Sequence, residues 1–339
     1  MIVLGSGEHP GRRVLLFGEG LIGSAIAEDL GGRGFARLRE ASLPWSDEAA
    51  LDSLLDEIEP AISGNGAPAD PGRDSPEGRW TVIWSAGTAG FDATEGEAAA
   101  ELALFRKIVA FARRLPRSTP APVAFAFIGS AGGLFEGQRV VDSASAPAPR
   151  RPYGRLKLAE EDVLLSGPPG IEPLVFRLSS VYGPLAGRHR RGLIPTLIAN
   201  AFEGRVSRIL GTSSTLRDFV WVRDVARYLV SRILESPGIA REKVVTLASC
   251  RPASILEIRT LVEDALNRRL YLSFAPAPSN REDITFRPTT MPAGWIPSSL
   301  KTNIGLIART FLAEGGPAAP PSSGPRFPGP SHGAQRQGT

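Results

Sequence analysis

A chain of 339 residues with 42% apolar side chains is long enough to bury a large core, as one big α/β domain or two smaller ones, which excludes disorder for most of its length. A single cysteine, Cys250, excludes a disulfide within the chain and fits a reducing compartment, where it reads as a small core hydrophobe. The formal charge of +4 comes from arginines scattered among acids, with no basic block interleaved with aromatics, so nucleic acid is not an expected partner and an anionic small molecule is.

Met1 to Val3 is too short for a secretory apolar region, and no apolar run approaches the roughly 20 residues that span a bilayer. A soluble, cytoplasmic protein without a membrane partner is expected. The first strand, Val14 to Phe17, runs into Gly18-Glu-Gly20-Leu21-Ile22-Gly23 and then into a helical pattern carrying Ile22, Ile26 and Leu30. A glycine turn between strand and helix permits close backbone approach and leaves helix N–H groups for a pyrophosphate, so this segment is the candidate dinucleotide cradle. Phe35 to Leu38 is a weak second strand. Near its end stand Arg37, Arg39 and Glu40; an acid there would hold the ribose hydroxyls of NAD and an arginine would accept the extra phosphate of NADP, and both readings stay open.

Glu48 to Ile58 reads as a helix and 61–79 as a Gly/Pro/Asp-rich surface insertion. Thr81 to Trp84 and Val123 to Ile128 are short apolar strands separated by a helix from about Glu97 to Arg114, and a further strand spans Pro173 to Leu178. This alternation predicts a Rossmann-type, doubly wound parallel sheet. Past Tyr182 the pattern loosens, with a helix near Leu193 to Ala201, a strand at Val244 to Ala248 and a helix from Ile255 to Asn267. The expected organisation is a dinucleotide-binding domain over 13–180 with 211–250 returning to it, a smaller α/β substrate-binding lobe from 181–210 and 251–313, and a disordered tail over 317–339.

The most informative stretch is Tyr153-Gly-Arg-Leu-Lys157, a phenol and an ammonium one helical turn apart and therefore on one face. Lysine occurs only at 107, 157, 243 and 301, so composition alone would put arginine at 157. An ammonium beside a phenol favours the phenolate and lowers a pKa that is roughly 10 in the free side chain, which suits interconversion of alcohol and ketone. Ser130 follows the strand Val123 to Ile128, at the carboxyl edge where such sheets bind ligands.

Together the glycine turn, Ile128-Gly-Ser130-Ala-Gly-Gly-Leu-Phe135, Tyr153-x-x-x-Lys157, Arg177-Leu-Ser-Ser-Val-Tyr182-Gly-Pro184 and Arg217-Asp-Phe-Val-Trp-Val-Arg-Asp224-Val-Ala226 resemble the extended short-chain dehydrogenase/reductases. More narrowly, they resemble the NAD-dependent epimerase/dehydratase family that acts on nucleotide sugars, over roughly residues 13 to 310. The resemblance implies Tyr153 as acid/base, Lys157 as its partner and an anchor for the nicotinamide ribose, and Ser130 as the hydroxyl holding the substrate oxygen. Alignment from Phe135 would instead put Ala131 at the hydroxyl position. It implies NAD(P) held by Gly18, Gly20, Leu21, Ile22, Gly23, Arg39, Glu40, Ala86, Gly87 and Lys157, with NAD favoured, NADP left open by Arg37 and Arg39, and no metal. Ser180 stands where many relatives carry asparagine, Arg217 and Arg281 would pair with the substrate diphosphate, and Asp224 looks structural. The glycine turn is one residue shorter than the family's. Ala131-Gly-Gly replaces the acidic pair of the family's dehydratases, which argues against 4,6-dehydration. The leading expectation is a nucleotide-sugar epimerase; a nucleotide-sugar ketoreductase and a non-catalytic dinucleotide-binding protein are the alternatives, and a homodimer is the family's common assembly.

Overall fold

Val123-Ala-Phe-Ala-Phe-Ile128 is apolar without alternation, which is what a strand covered by helices on both faces requires. A computed structural model of the chain places it in the interior of a seven-stranded sheet, with strands paired on both of its edges. The structure describes residues 1–9, 11–44, 47–63, 79–115, 122–167, 169–184, 192–235, 242–275 and 282–313. The expected tail, Arg281 and most of the expected insertion lie outside the described residues.

In chain order the first half holds β1 (Ile2–Ser6), β2 (Arg13–Phe17), α1 (Leu21–Gly31), β3 (Phe35–Glu40), α2 (Glu48–Ser63), β4 (Trp80–Trp84), α3 (Glu95–Arg114), β5 (Val123–Ser130), α4 (Ala131–Leu134), β6 (Val140–Val141) and α5 (Pro152–Leu165). The second half holds β7 (Ile171–Leu178), β8 (Ser180–Tyr182), α6 (Leu193–Glu203), β9 (Val206–Leu210), β10 (Phe219–Trp221), α7 (Val222–Leu234), β11 (Val244–Leu247), α8 (Ile255–Leu266), β12 (Tyr271–Ala275), β13 (Thr285–Phe286) and α9 (Leu300–Ala313).

The sheet order is β11-β7-β5-β4-β2-β1-β3. From β11 to β2 all neighbours are parallel, so the carboxyl ends of β2, β4, β5 and β7 line one edge. Helices α1 and α7 cover one face around Ile26, Leu30, Val225 and Leu229, and α2, α3 and α5 cover the other around Leu55, Phe105, Ile108 and Leu164. Each of these fully buried side chains contributes about 1.5–3 kcal/mol to folding. A separate core of Ile194, Ile198, Ile258, Val262, Ile304 and Phe311 joins α6, α8 and α9 against Tyr182 and Trp221.

Two expectations change. The sheet does not begin at residue 13: Ile2–Ser6 is a buried strand, antiparallel to both neighbours, that lies between β2 and β3. The four apolar residues Met1 to Leu4 are too short a run to announce a strand, and only pairing on both edges stabilises it. The bounds expected for the insertion change as well: α2 continues to Ser63, and Arg79 is buried, its carbonyl accepting from Arg13 N and its guanidinium pairing with Glu172 at 2.7 Å.

Candidate active site at the carboxyl edge of the sheet

Two loops meet where β2 and β4 end. Gly18 has φ +91°, and a Cβ there would lie 2.5 Å from Ala86 Cα; a Cβ on Gly23 would lie 1.8 Å from the Gly18 carbonyl oxygen. Only glycines let the turn close this tightly. The Ser85 hydroxyl ties the two loops, donating toward the Phe17 and Gly18 carbonyls at 3.0 and 2.7 Å. Gly20 caps α1 without a side-chain hydrogen bond, and a Cβ on it would meet nothing within 4 Å. The first turn of α1, with Leu21 and Ile22, therefore offers unfilled N–H donors to open space, which fits the diphosphate of a dinucleotide.

The acid-or-arginine position is reshaped by the inserted β1. β3 becomes the edge strand, and Arg39 turns to Glu57 of α2 at 2.6 Å. It is Arg37 that reaches the glycine turn, bridging Glu19 at 2.7 Å and Glu40 at 3.2 Å.

Helix α5 opens with Pro152 at its first position, where the missing N–H is no loss, and Tyr153 and Lys157 lie on one face. Its start sits directly on the turn of α4. A Cβ on Gly154 would come 2.4 Å from the Gly133 carbonyl, and one on Gly133 would come 3.0 Å from the Tyr153 ring. Ser130 ends β5 and caps α4, its hydroxyl oxygen accepting from Gly133 N at 3.1 Å and keeping its own proton to donate. Ser130 and Tyr153 are thus brought to the same glycine turn. Ala131 is fully buried. The Tyr153 ring is walled by Phe91, centroids 5.1 Å apart, and the Lys157 ammonium lies 5.8 Å from its centroid.

Lys157 is 4% exposed, and its ammonium donates to Glu101 at 2.9 Å and Glu160 at 2.8 Å. Burial opposes its charge, but Glu160 and Glu101 more than offset this and hold its pKa above that of an ordinary lysine. Burial pushes Glu101 up as well; Lys157 and the backbone N–H groups of Ala89 and Thr88, at 2.8 and 2.7 Å, outweigh it and bring Glu101 below the usual carboxylate value. Gly87 lies on this cluster, since a Cβ there would meet Glu101 at 2.8 Å and Lys157 at 3.0 Å. Sequence reasoning missed both acids. The signal was present in α3, where Glu101 falls in the apolar stripe of Ala98, Phe105 and Ile108, and in α5, where Glu160 falls between Leu156 and Leu164.

Arg217 lies two residues before β10, its backbone bridging Ala253 and Ile284. Its guanidinium donates to the carbonyls of Leu216 at 2.9 Å and Glu282 at 2.5 Å, and burial, against the pull of Asp283, sets its pKa below the usual guanidinium value. Ser180 is exposed on β8, its N–H paired with the Asp218 carbonyl. The Asp218 carboxylate, 2% exposed, accepts from Ser179 at 2.7 Å and from Ser249 N and Oγ, locking the segment before β10. Asp224 accepts from Ser298 N and Oγ, a structural role. Among the described residues no group of three His, Cys, Asp or Glu side chains could hold a metal ion, and no helix is long and apolar enough to cross a membrane.

The sequence profile of the NAD dependent epimerase/dehydratase family matches residues 76–245. The chain is 28% identical over 163 residues to the uncharacterized UDP-glucose epimerase YtcB of Bacillus subtilis, covering 46% of this chain and 50% of that protein. It is 32% identical over 93 residues to dTDP-glucose 4,6-dehydratase 1 of Escherichia coli, covering 27% of this chain and 25% of that protein. These matches span half or less of the curated relatives' length. Among solved structures, MoeE5 in complex with UDP-glucuronic acid and NAD superposes with a TM-score of 0.70 at 19% identity, covering 89% of this chain and 99% of that one. The UDP-glucose 4-epimerase of Thermus thermophilus in complex with NAD does so at 0.65 and 19%, with the same coverage.

Proposed function

For this chain, which belongs to the NAD-dependent epimerase/dehydratase family, we propose the activity of a nucleotide-sugar epimerase that works by transient oxidation of a sugar hydroxyl carbon. The observation that carries the reading is the meeting of Tyr153, Lys157 and the Ser130-capped turn at the carboxyl edge, beside a glycine cradle that fits a dinucleotide. Gly18, Gly20, Leu21, Ile22 and Gly23 would hold the diphosphate of NAD(P), Ala86, Gly87 and Lys157 would face its nicotinamide half, and Arg37 with Glu19 and Glu40 would meet its adenosine end. NAD is favoured by the family. The bound nicotinamide supplies a hydride acceptor that also returns the hydride.

The chain's own groups handle the proton and the orientation. The Tyr153 phenolate takes the proton of the sugar hydroxyl as its carbon gives up hydride, and the phenol returns that proton when hydride comes back on the other face of the keto sugar. Ser130 donates to the reacting oxygen and holds it near the phenol. Arg217, with Ser180 exposed on β8 and Arg281 outside the described residues, would meet the diphosphate of the substrate. Curated relatives also include a dTDP-4-dehydro-6-deoxy-D-allose reductase, 30% identical over 149 residues, so net reduction by the same residues is the second reading.

Purified protein incubated with UDP-, dTDP- and GDP-sugars, with and without added NAD⁺, NADH and NADPH, and followed by proton NMR separates the two. A stereoisomer formed without net cofactor consumption supports epimerisation, and a reduced sugar with stoichiometric cofactor loss supports the reductase. Tyr153→Phe is expected to lower turnover by about 10²- to 10⁴-fold; unchanged turnover would remove Tyr153 from the acid/base role.

A further inference from the structure

Helices α3 and α5 bury one ammonium against two carboxylates next to the tyrosine. Lys157 is paired on one side with Glu101 and on the other with Glu160, which is fully buried. The second oxygen of Glu101 is saturated by the loop after β4, whereas Oε1 of Glu160 makes no hydrogen bond of good geometry. Among the described residues the charged and aromatic groups on the cluster are Lys157 and Tyr153 on α5 itself, Glu101 on α3, the Trp84 indole on β4, and the Phe127 ring of β5, 5.6 Å from the ammonium. Glu161, one residue on, is separately neutralised by Arg177. With both Glu101 and Glu160 ionised the cluster carries a net charge of −1 in a place water does not reach. With one proton bound it is neutral.

We propose that Glu160 is a positioning residue that holds the proton setting the charge beside Tyr153: protonated, it leaves Lys157 balanced by Glu101 alone and the phenolate favoured, and ionised, it adds a buried negative charge that disfavours the phenolate. The proposal rests on Tyr153 being the acid/base of the site. The location of the proton follows from the contacts, since Glu101 is held ionised by two backbone N–H groups as well as by Lys157, while Glu160 has Lys157 and the Trp84 indole and no such pair of backbone donors. Burial pushes the Glu160 carboxyl up to about 7 against the pull of Lys157, so the proton is exchanged near neutrality. The cluster beside Tyr153 is therefore neutral or singly negative according to whether Glu160 holds its proton, and Glu160 makes that charge depend on pH.

The test reads the tyrosine directly. Ultraviolet titration of tyrosinate, with the Tyr153→Phe protein subtracted in each background, isolates the ionisation of Tyr153. In Glu160→Gln its midpoint is expected to fall by about one pH unit relative to the parent, because a neighbouring negative charge has been removed. Glu160→Leu, which removes the charge without supplying an amide, is expected to shift it in the same direction. An unmoved midpoint overturns the proposal, and so does a shift in Glu160→Gln absent from Glu160→Leu, which would belong to the amide. With a substrate in hand, kcat of Glu160→Gln should match the parent at pH 6 and exceed it by about tenfold at pH 8, with KM unchanged. A pH-independent ratio would make Glu160 merely structural. If no nucleotide sugar turns over, the functional reading fails while the tyrosine titration still decides the proposal.

Discussion

Replacing Arg177 with leucine is expected to cost about 3–5 kcal/mol of folding stability at neutral pH, and most of that loss is expected to vanish when Glu161 becomes leucine as well. Glu161 is fully buried on α5, in room left by Gly129 of β5, where a Cβ would lie 3.1 Å from its Oε1. Arg177 of β7 meets it with Nε at 3.1 and 3.0 Å from the two oxygens and Nη2 at 2.7 Å from Oε2. Without the guanidinium an ionised carboxylate is left where water cannot replace it, whereas a leucine pair of similar bulk asks for no partner. Burial already pushes the Glu161 pKa up, with Arg177 holding it back, so removing Arg177 raises it further. A carboxyl whose folded pKa lies above its unfolded value contributes stability that is present below the unfolded pKa and lost as pH rises through the folded one. The single variant should therefore lie closest to the parent near pH 4.5 and fall away from it toward pH 8. Urea unfolding of the parent, both single variants and the double variant at pH 5, 6, 7 and 8 measures this, with a drop in Tm of roughly 4–7 °C at pH 7 as a second readout. A loss under about 1 kcal/mol at pH 7, a loss independent of pH, or a double variant as weak as Arg177→Leu would refute the reasoning.

Gly23→Ala places a methyl 1.8 Å from a backbone carbonyl and 2.7 Å from Ser85 Oγ. It should weaken NAD⁺ binding at least about tenfold by calorimetry and cost about 1–3 kcal/mol of stability, because overpacking against backbone must move the turn. Gly20→Ala, which meets nothing within 4 Å, should stay within about 1 kcal/mol of the parent in the same unfolding assay. Arg217→Ala should raise KM for a nucleotide sugar by about tenfold or more with kcat little changed in initial-rate kinetics, the pattern of an anchor that binds substrate and transition state alike.

The parallel sheet, the glycine turn and the shared face of Tyr153 and Lys157 were legible in the residues because each is written within a window of a few positions: an apolar run bounded by glycine, a strand feeding a helix, a spacing of one helical turn. Helix limits moved by only a few residues, as with α3, which starts at Glu95 because Thr94 and Glu97 form a capping box there. Pairing across the chain is a different matter. Ile2–Ser6 is a strand only because it finds β2 on one side and β3 on the other, and that insertion sends Arg39 to Glu57 and brings Arg37 to the glycine turn. Glu160 and Glu161 are neighbours on α5, and adjacent helical positions point about 100° apart. One meets Lys157 and the other meets Arg177. Glu101 reaches Lys157 across 56 residues of chain, a contact made by the packing of α3 on α5. Local sequence therefore determined which groups could do chemistry, and tertiary packing decided how much charge each carries, because a buried charge is set by the partners that exclude water from it and those partners come from distant segments.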